Sequence, residues 1–161
     1  MQTPSPDFHA RPSHIPWPPL IMGGAVLIGA ALSWLVPIPL APGLAQALRA
    51  IGVVMMGCAV SLDFWTFLTF RRHMTTVRPD RSASALATDG PFRYSRNPIY
   101  IGNTALIFGL GLAFGSIWVA LTAPFVLVLI DRLAVRGEEK HLEARFGEPY
   151  RAYKTRVRRW L

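Results

Sequence analysis

Four apolar runs, separated by polar stretches rich in proline and glycine, make up most of the chain. The first, Trp17–Val36, is about twenty residues, long enough to cross a bilayer. Trp17 and Trp34 sit near its ends, where indole rings favour the interface. Gly23, Gly24, Ala25, Gly29, Ala30 and Ala31 give it a small-residue face for close helix packing. Pro37-Ile38-Pro39 stops it, and Leu40–Ala45, with Pro42-Gly43, is a short turn. The second run spans Gln46–Phe70, with Arg49 near enough to its start to snorkel. Pro98–Phe114 is the third and Ile117–Ala134 the fourth, divided by Gly115-Ser116, with Pro124 bending the latter. These last two are short for full crossings. The pattern predicts an all-α, polytopic membrane protein with four transmembrane helices.

Beyond Arg136 the periodicity turns amphipathic. Glu138, Glu139, His141, Leu142, Arg145 and Phe146 belong to one helix continuing the fourth run, and Gly147 caps it. Pro149 opens a second short helix carrying Tyr150 and Tyr153. The closing Arg156-Val157-Arg158-Arg159-Trp160 suits an anionic lipid surface. One domain covers residues 1–161, with a flexible tail over 1–15 in place of a cleaved signal, a connecting loop over 71–97 and surface helices over 136–161.

Composition narrows the possible functions. With 161 residues, 52% hydrophobic and 16% charged, no hydrophilic segment can hold a separate catalytic domain. Any chemistry is therefore done at or in the bilayer. The net charge of +8 comes from residues flanking the apolar runs, which favours anionic lipid over nucleic acid as partner. Six lysines and arginines fall in Arg71–Arg96 and eight in Arg136–Arg159, against Arg49 near the opposite side. With four crossings this places both termini in the cytoplasm. The compact, alanine- and arginine-rich composition points to a bacterial inner membrane. Cys58 alone excludes an internal disulfide, and no His/Cys/Asp group has metal-ligand spacing. No motif fixes a homo-oligomer, although bundles of short helices often pair.

The chemistry gathers at Ala87–Asn103, a turn-rich stretch opening into the third run. Asn97 before Pro98 is an N-cap followed by a first helical position, so Arg93, Tyr94, Arg96 and Tyr100 surround a helix mouth. Arg93, Arg96 and Arg78 offer guanidinium forks for a carboxylate or phosphate. Adjacent Glu138 and Glu139 point about 100° apart, so the inner set is either Glu138/His141/Arg145 or Glu139/Leu142/Phe146. Two readings stand side by side: a pocket for a zwitterion, or glutamates that salt-bridge Arg93 and Arg96 at the surface. Asp63, two turns inside the second run, is either a polar contact to a loop arginine or neighbouring helix, or a site residue.

Gly90–Asn103 together with Glu138-Glu139-x-x-Leu142-x-x-x-Phe146-Gly147-x-x-Tyr150-x-x-Tyr153-x-x-x-Val157-x-Arg159-Trp160 resembles the integral-membrane methyltransferases related to isoprenylcysteine carboxyl methyltransferase and the phospholipid N-methyltransferases. The resemblance covers about Thr75–Trp160. It implies S-adenosylmethionine, leaving as S-adenosylhomocysteine, at the cytoplasmic surface beneath residues 136–161, and a lipidic acceptor entering from the bilayer. Carried over, Arg96, Tyr100, Glu138 and Glu139 are the first cofactor residues, with Tyr94, Asn97, Tyr150 and Tyr153 behind them. Arg93 or Arg78 would orient a carboxylate or lipid phosphate, and an amine acceptor would lose its proton to Glu138, His141 or a bound water. The family often has histidine where this chain has Asn97, so a histidine role there does not transfer. The acceptor is an isoprenylcysteine-type carboxylate or a phospholipid amine. A non-catalytic membrane binding protein retaining the pocket is the alternative, with a nicotinamide-dependent redox enzyme behind it.

Overall fold

The structure, a computed structural model, describes residues 17–73 and 86–161. The tail and Arg78 lie outside the described residues. Helix α1 (Trp17–Leu35) is followed by α2 (Pro42–Arg72), a 3-10 turn (Gly90–Arg93), α3 (Pro98–Ala113) and α4 (Ile117–Ile130). A π turn (Asp131–Val135) joins α4 to α5 (Arg136–Phe146), and α6 (Glu148–Arg156) closes the order. Pro42 occupies the first turn of α2, where its missing N–H is not needed. The Pro42-Gly43 turn expected from the sequence is thus helical. Gly115 takes φ 72°, and the Ser116 hydroxyl accepts a hydrogen bond from the Val119 N–H, so α4 starts at once.

The expected count of four transmembrane helices is corrected to three. Among the described residues, Trp17–Leu35, Pro42–Arg72 and the continuous Ile117–Phe146 are long and apolar enough to cross a membrane. Pro98–Ala113 has 16 residues and rises about 24 Å, short of the ~30 Å hydrocarbon layer. The fourth run is longer than its apolar stretch suggests, because the π turn carries the helix on into α5. With three crossings the even count that would bring both termini to one side no longer holds, while the charge asymmetry remains.

Helix α3 packs between α2 and α4, and α1 lies against α4. The core between them is Tyr100, Ile107, Val119, Ala123, Val126 and Ile130, with Ala134 and Val135 of the π turn. A second cluster under the surface helices holds Ala87, Phe92, Tyr150 and Tyr153, with Phe70, Leu142 and Phe146 against it. The α2–α3 contact depends on glycine. A Cβ on Gly52 would lie 2.6 Å from the Gly109 carbonyl oxygen and 2.9 Å from Leu112 Cβ. Backbone meets backbone there, so Gly52→Ala should separate the helices at a cost of about 1–3 kcal/mol. Thermal unfolding in detergent checks this, and an unchanged midpoint would mean that the two backbones are not so close.

Asp63 does not pair with an arginine among the described residues. Its Oδ1 is buried without a hydrogen-bond partner, in the place that a Gly102 side chain would fill.

Candidate functional site

The polar residues converge where the N-terminal end of α3, the start of α5 and the residues after α6 meet. The 3-10 turn seats Phe92 in the second cluster, and Ser95 to Asn97 then enter α3. Asn97 stands at the N-cap position, yet its side chain caps nothing. Instead its Nδ2 donates to the Arg159 carbonyl at 3.1 Å, and the Ser95 hydroxyl donates to the same oxygen at 3.0 Å. The Arg96 N–H donates to the Arg158 carbonyl at 3.0 Å. The C-terminal segment is therefore laced onto the helix mouth, where the Asn97 N–H donates to the Ser95 hydroxyl and the Tyr100 and Ile101 N–H groups to the Asn97 carbonyl.

Arg96 is saturated. Its Nε and Nη2 donate to Glu139 Oε1 at 3.1 and 2.8 Å, and its Nη1 donates to the carbonyls of Lys154 and Val157 at 3.3 and 2.9 Å. Arg159 holds the same carboxylate from the other side, with Nη2 to Oε2 at 2.7 Å and Nε to Oε1 at 3.1 Å. The hydrogen bond with Glu139 pushes the Arg159 guanidinium above its ordinary pKa. Glu139 is 7% exposed, so this is an interior network rather than surface lacing.

Glu138 has a different partner. The Tyr100 hydroxyl donates to its Oε1 at 2.7 Å. Both glutamates are thus engaged, about 100° apart: Glu139, Leu142 and Phe146 turn toward the arginines and the second cluster, while Glu138 turns toward α3. His141, one turn beyond Glu138, has a buried Nε2 with no hydrogen-bond partner. Helical spacing extends that face to Arg145.

The remaining sequence candidates separate. Arg93 and Tyr94 are exposed, and the Tyr94 ring lies 6.4 Å from that of Trp65. Tyr150 and Tyr153 are buried, and Tyr153 donates to the Phe92 carbonyl at 2.8 Å. Burial pushes both phenols well above the ordinary tyrosine range, so they stay protonated. They brace the surface helices. Asp131 and Arg159 were not singled out for the site from the sequence, because a basic tail and an acid beside an arginine look solvated. Arg159 Nη1 donates to Asp131 Oδ1 at 3.1 Å, and Arg136 Nε to Asp131 Oδ2 at 2.9 Å.

Fold and site together define a helical membrane protein whose interior polar cluster lies where its long apolar helices give way to surface helices. A family model described as phospholipid methyltransferase matches residues 48–149, and the chain belongs to that family. It is accordingly an S-adenosylmethionine-dependent methyltransferase acting on a lipidic, membrane-associated substrate. A stretch of 63 residues, 39% of this chain, is 32% identical to the whole of an uncharacterized protein from Haemophilus influenzae. No solved structure matches.

Proposed function

We propose that the chain methylates the amine of a phospholipid head group, with the Tyr100–Glu138–His141 face as its reaction site. The observation that carries the choice is the buried, unpartnered Nε2 of His141 one turn from Glu138. A carboxylate acceptor of the isoprenylcysteine type is already nucleophilic at neutral pH and gives such a base no task. An amine must lose a proton before it attacks. The family description points the same way.

The residues present fit the zwitterionic end of S-adenosylmethionine. Glu138 would take its ammonium, and Arg145, on the same helix face, its carboxylate. Arg96, Glu139 and Asn97 are committed to one another and to the tail, so they serve as the frame. When bound, the cofactor supplies an electrophilic methyl group on a sulfonium. Glu138 and Tyr100 orient it, the surface helices exclude water, and His141 Nε2 accepts the amine proton. Arg93, exposed beside Tyr94, would meet the lipid phosphate. The excess of basic residues on this side supports a site at the cytoplasmic face of a bacterial inner membrane.

The test is a heat-stability shift of the purified protein with S-adenosylhomocysteine, followed by uptake of labelled methyl into a total lipid extract. A shift and a labelled phospholipid are expected. A shift without labelling favours a binding protein, labelling of a carboxyl ester favours the other acceptor, and a shift with NADPH alone favours the redox reading.

A further inference from the structure

Between α4 and α5 the helix makes a π turn over Asp131–Val135. Such a turn closes hydrogen bonds from i to i+5 and so adds one residue to a helix. One added residue rotates everything downstream by about 100°. That is the angle between Glu138 and Glu139. In an uninterrupted α-helix, Glu138 would stand where Glu139 now meets Arg96 and Arg159, and Gly137, with no side chain, would face Tyr100. The paired glutamates reach their two different partners only in the shifted register.

Asp131, the first residue of the π turn, holds that register at both ends. Its Oδ2 accepts from Arg136, five residues on, which is the spacing of the π turn itself. Its Oδ1 accepts from Arg159, whose other two nitrogens grip Glu139. The Asp131 side chain is 14% exposed, while Arg159 is 32% and Arg136 50% exposed, so the carboxylate is sheltered and its partners are partly solvated. Contacts at the chain end fix the far end of this tie: the Arg159 carbonyl is bonded to the Ser95 and Asn97 side chains, and Trp160 packs against the core cluster that includes Ile130 and Ala134.

We propose that Asp131 and Arg159 are positioning residues that lock the π turn and thereby set the register in which Glu138 faces Tyr100. The functional part of this inference rests on the methyltransferase reading; the register does not. Two readouts keep them apart.

The first is affinity for S-adenosylhomocysteine, measured by titration of the detergent-purified protein. Asp131→Asn, which keeps the shape and removes the charge, should weaken binding about tenfold and raise KM for S-adenosylmethionine, while kcat at saturation falls less than threefold. Asp131→Glu should recover most of the affinity. Arg159→Lys should fall between wild type and Arg159→Ala, because an ammonium cannot span two carboxylates as a fork does. The double variant Asp131→Asn/Arg159→Ala should be no worse than the weaker single one. The second readout needs no cofactor. Cysteines introduced by Tyr100→Cys and Glu138→Cys in a Cys58→Ser background should join through a short thiol crosslinker, and adding Asp131→Asn should reduce the yield severalfold. Affinity within twofold of wild type in both Asp131→Asn and Arg159→Ala, or a crosslink yield unaffected by Asp131→Asn, would overturn the proposal. So would an Asp131→Asn protein that fails to fold, since the residue would then support the bundle rather than the register. Absence of any binding by the wild type would overturn the methyltransferase reading and leave the crosslink to decide the register.

Discussion

Glu139→Ala is expected to be the most destabilising single change at the site, lowering stability by about 3–5 kcal/mol. The figure follows from what remains. Arg96, whose side chain is 11% exposed, would keep two carbonyl partners but lose the carboxylate that neutralises it. Arg159, at 32% exposure, can regain some hydration and contributes the smaller part. Glu139→Gln should fall between, since an amide oxygen still accepts hydrogen bonds but carries no charge. Arg96→Ala should cost less than Glu139→Ala, because Glu139 then keeps Arg159. The measurement is the thermal midpoint of the detergent-solubilised protein without ligand. A midpoint for Glu139→Ala matching wild type would mean that solvent reaches both arginines and that the network is surface lacing after all.

Much of this network was half legible in the sequence. Asn97-Pro98 marks the start of α3, and Gly147, found at φ 60°, with Pro149 marks the break between α5 and α6, because these residues have few backbone conformations to choose from. Pro42 was the exception: a proline after a proline-broken stretch fits a turn or a helix start equally well, and here it opens α2. The number of crossings failed for a related reason. Apolar composition shows that Pro98–Ala113 is buried among helices or lipid, and only its length separates the two. The π turn left no trace in the pattern, since its residues Asp131–Val135 continue the helical periodicity and only the downstream phase changes. For the same reason the choice between the Glu138 and Glu139 faces stayed open until the register was known. The partners of the site are distant along the chain: 43 residues separate Arg96 from Glu139 and 38 separate Tyr100 from Glu138. Residue types suggested such pairs, and the resemblance to a family grouped them. Arg159 escaped because three arginines in a four-residue tail look alike until one of them is bonded.

Glu138→Gln should instead leave the fold intact and weaken S-adenosylhomocysteine binding more than tenfold, a loss of at least about 1.4 kcal/mol in binding free energy. The amide oxygen can still accept the Tyr100 hydroxyl, so the local geometry survives and only the negative charge goes. Tyr100→Phe removes the donor and keeps the charge. A hydrogen bond to a charged group is worth about 1.5–3 kcal/mol, and part of it is regained when the freed carboxylate turns to water, so a loss of roughly three- to tenfold is expected. The contrast between neighbours is the decisive comparison. Changing Glu139 should chiefly lower the thermal midpoint, because its carboxylate neutralises two arginines of its own chain. Changing Glu138 should chiefly lower affinity, because one hydroxyl is the only protein hydrogen bond to its carboxylate among the described residues. Equal loss of affinity at both positions, with unchanged midpoints, would mean that the two carboxylates share one ligand. A wild-type affinity in Glu138→Gln would show that the cofactor ammonium is held elsewhere.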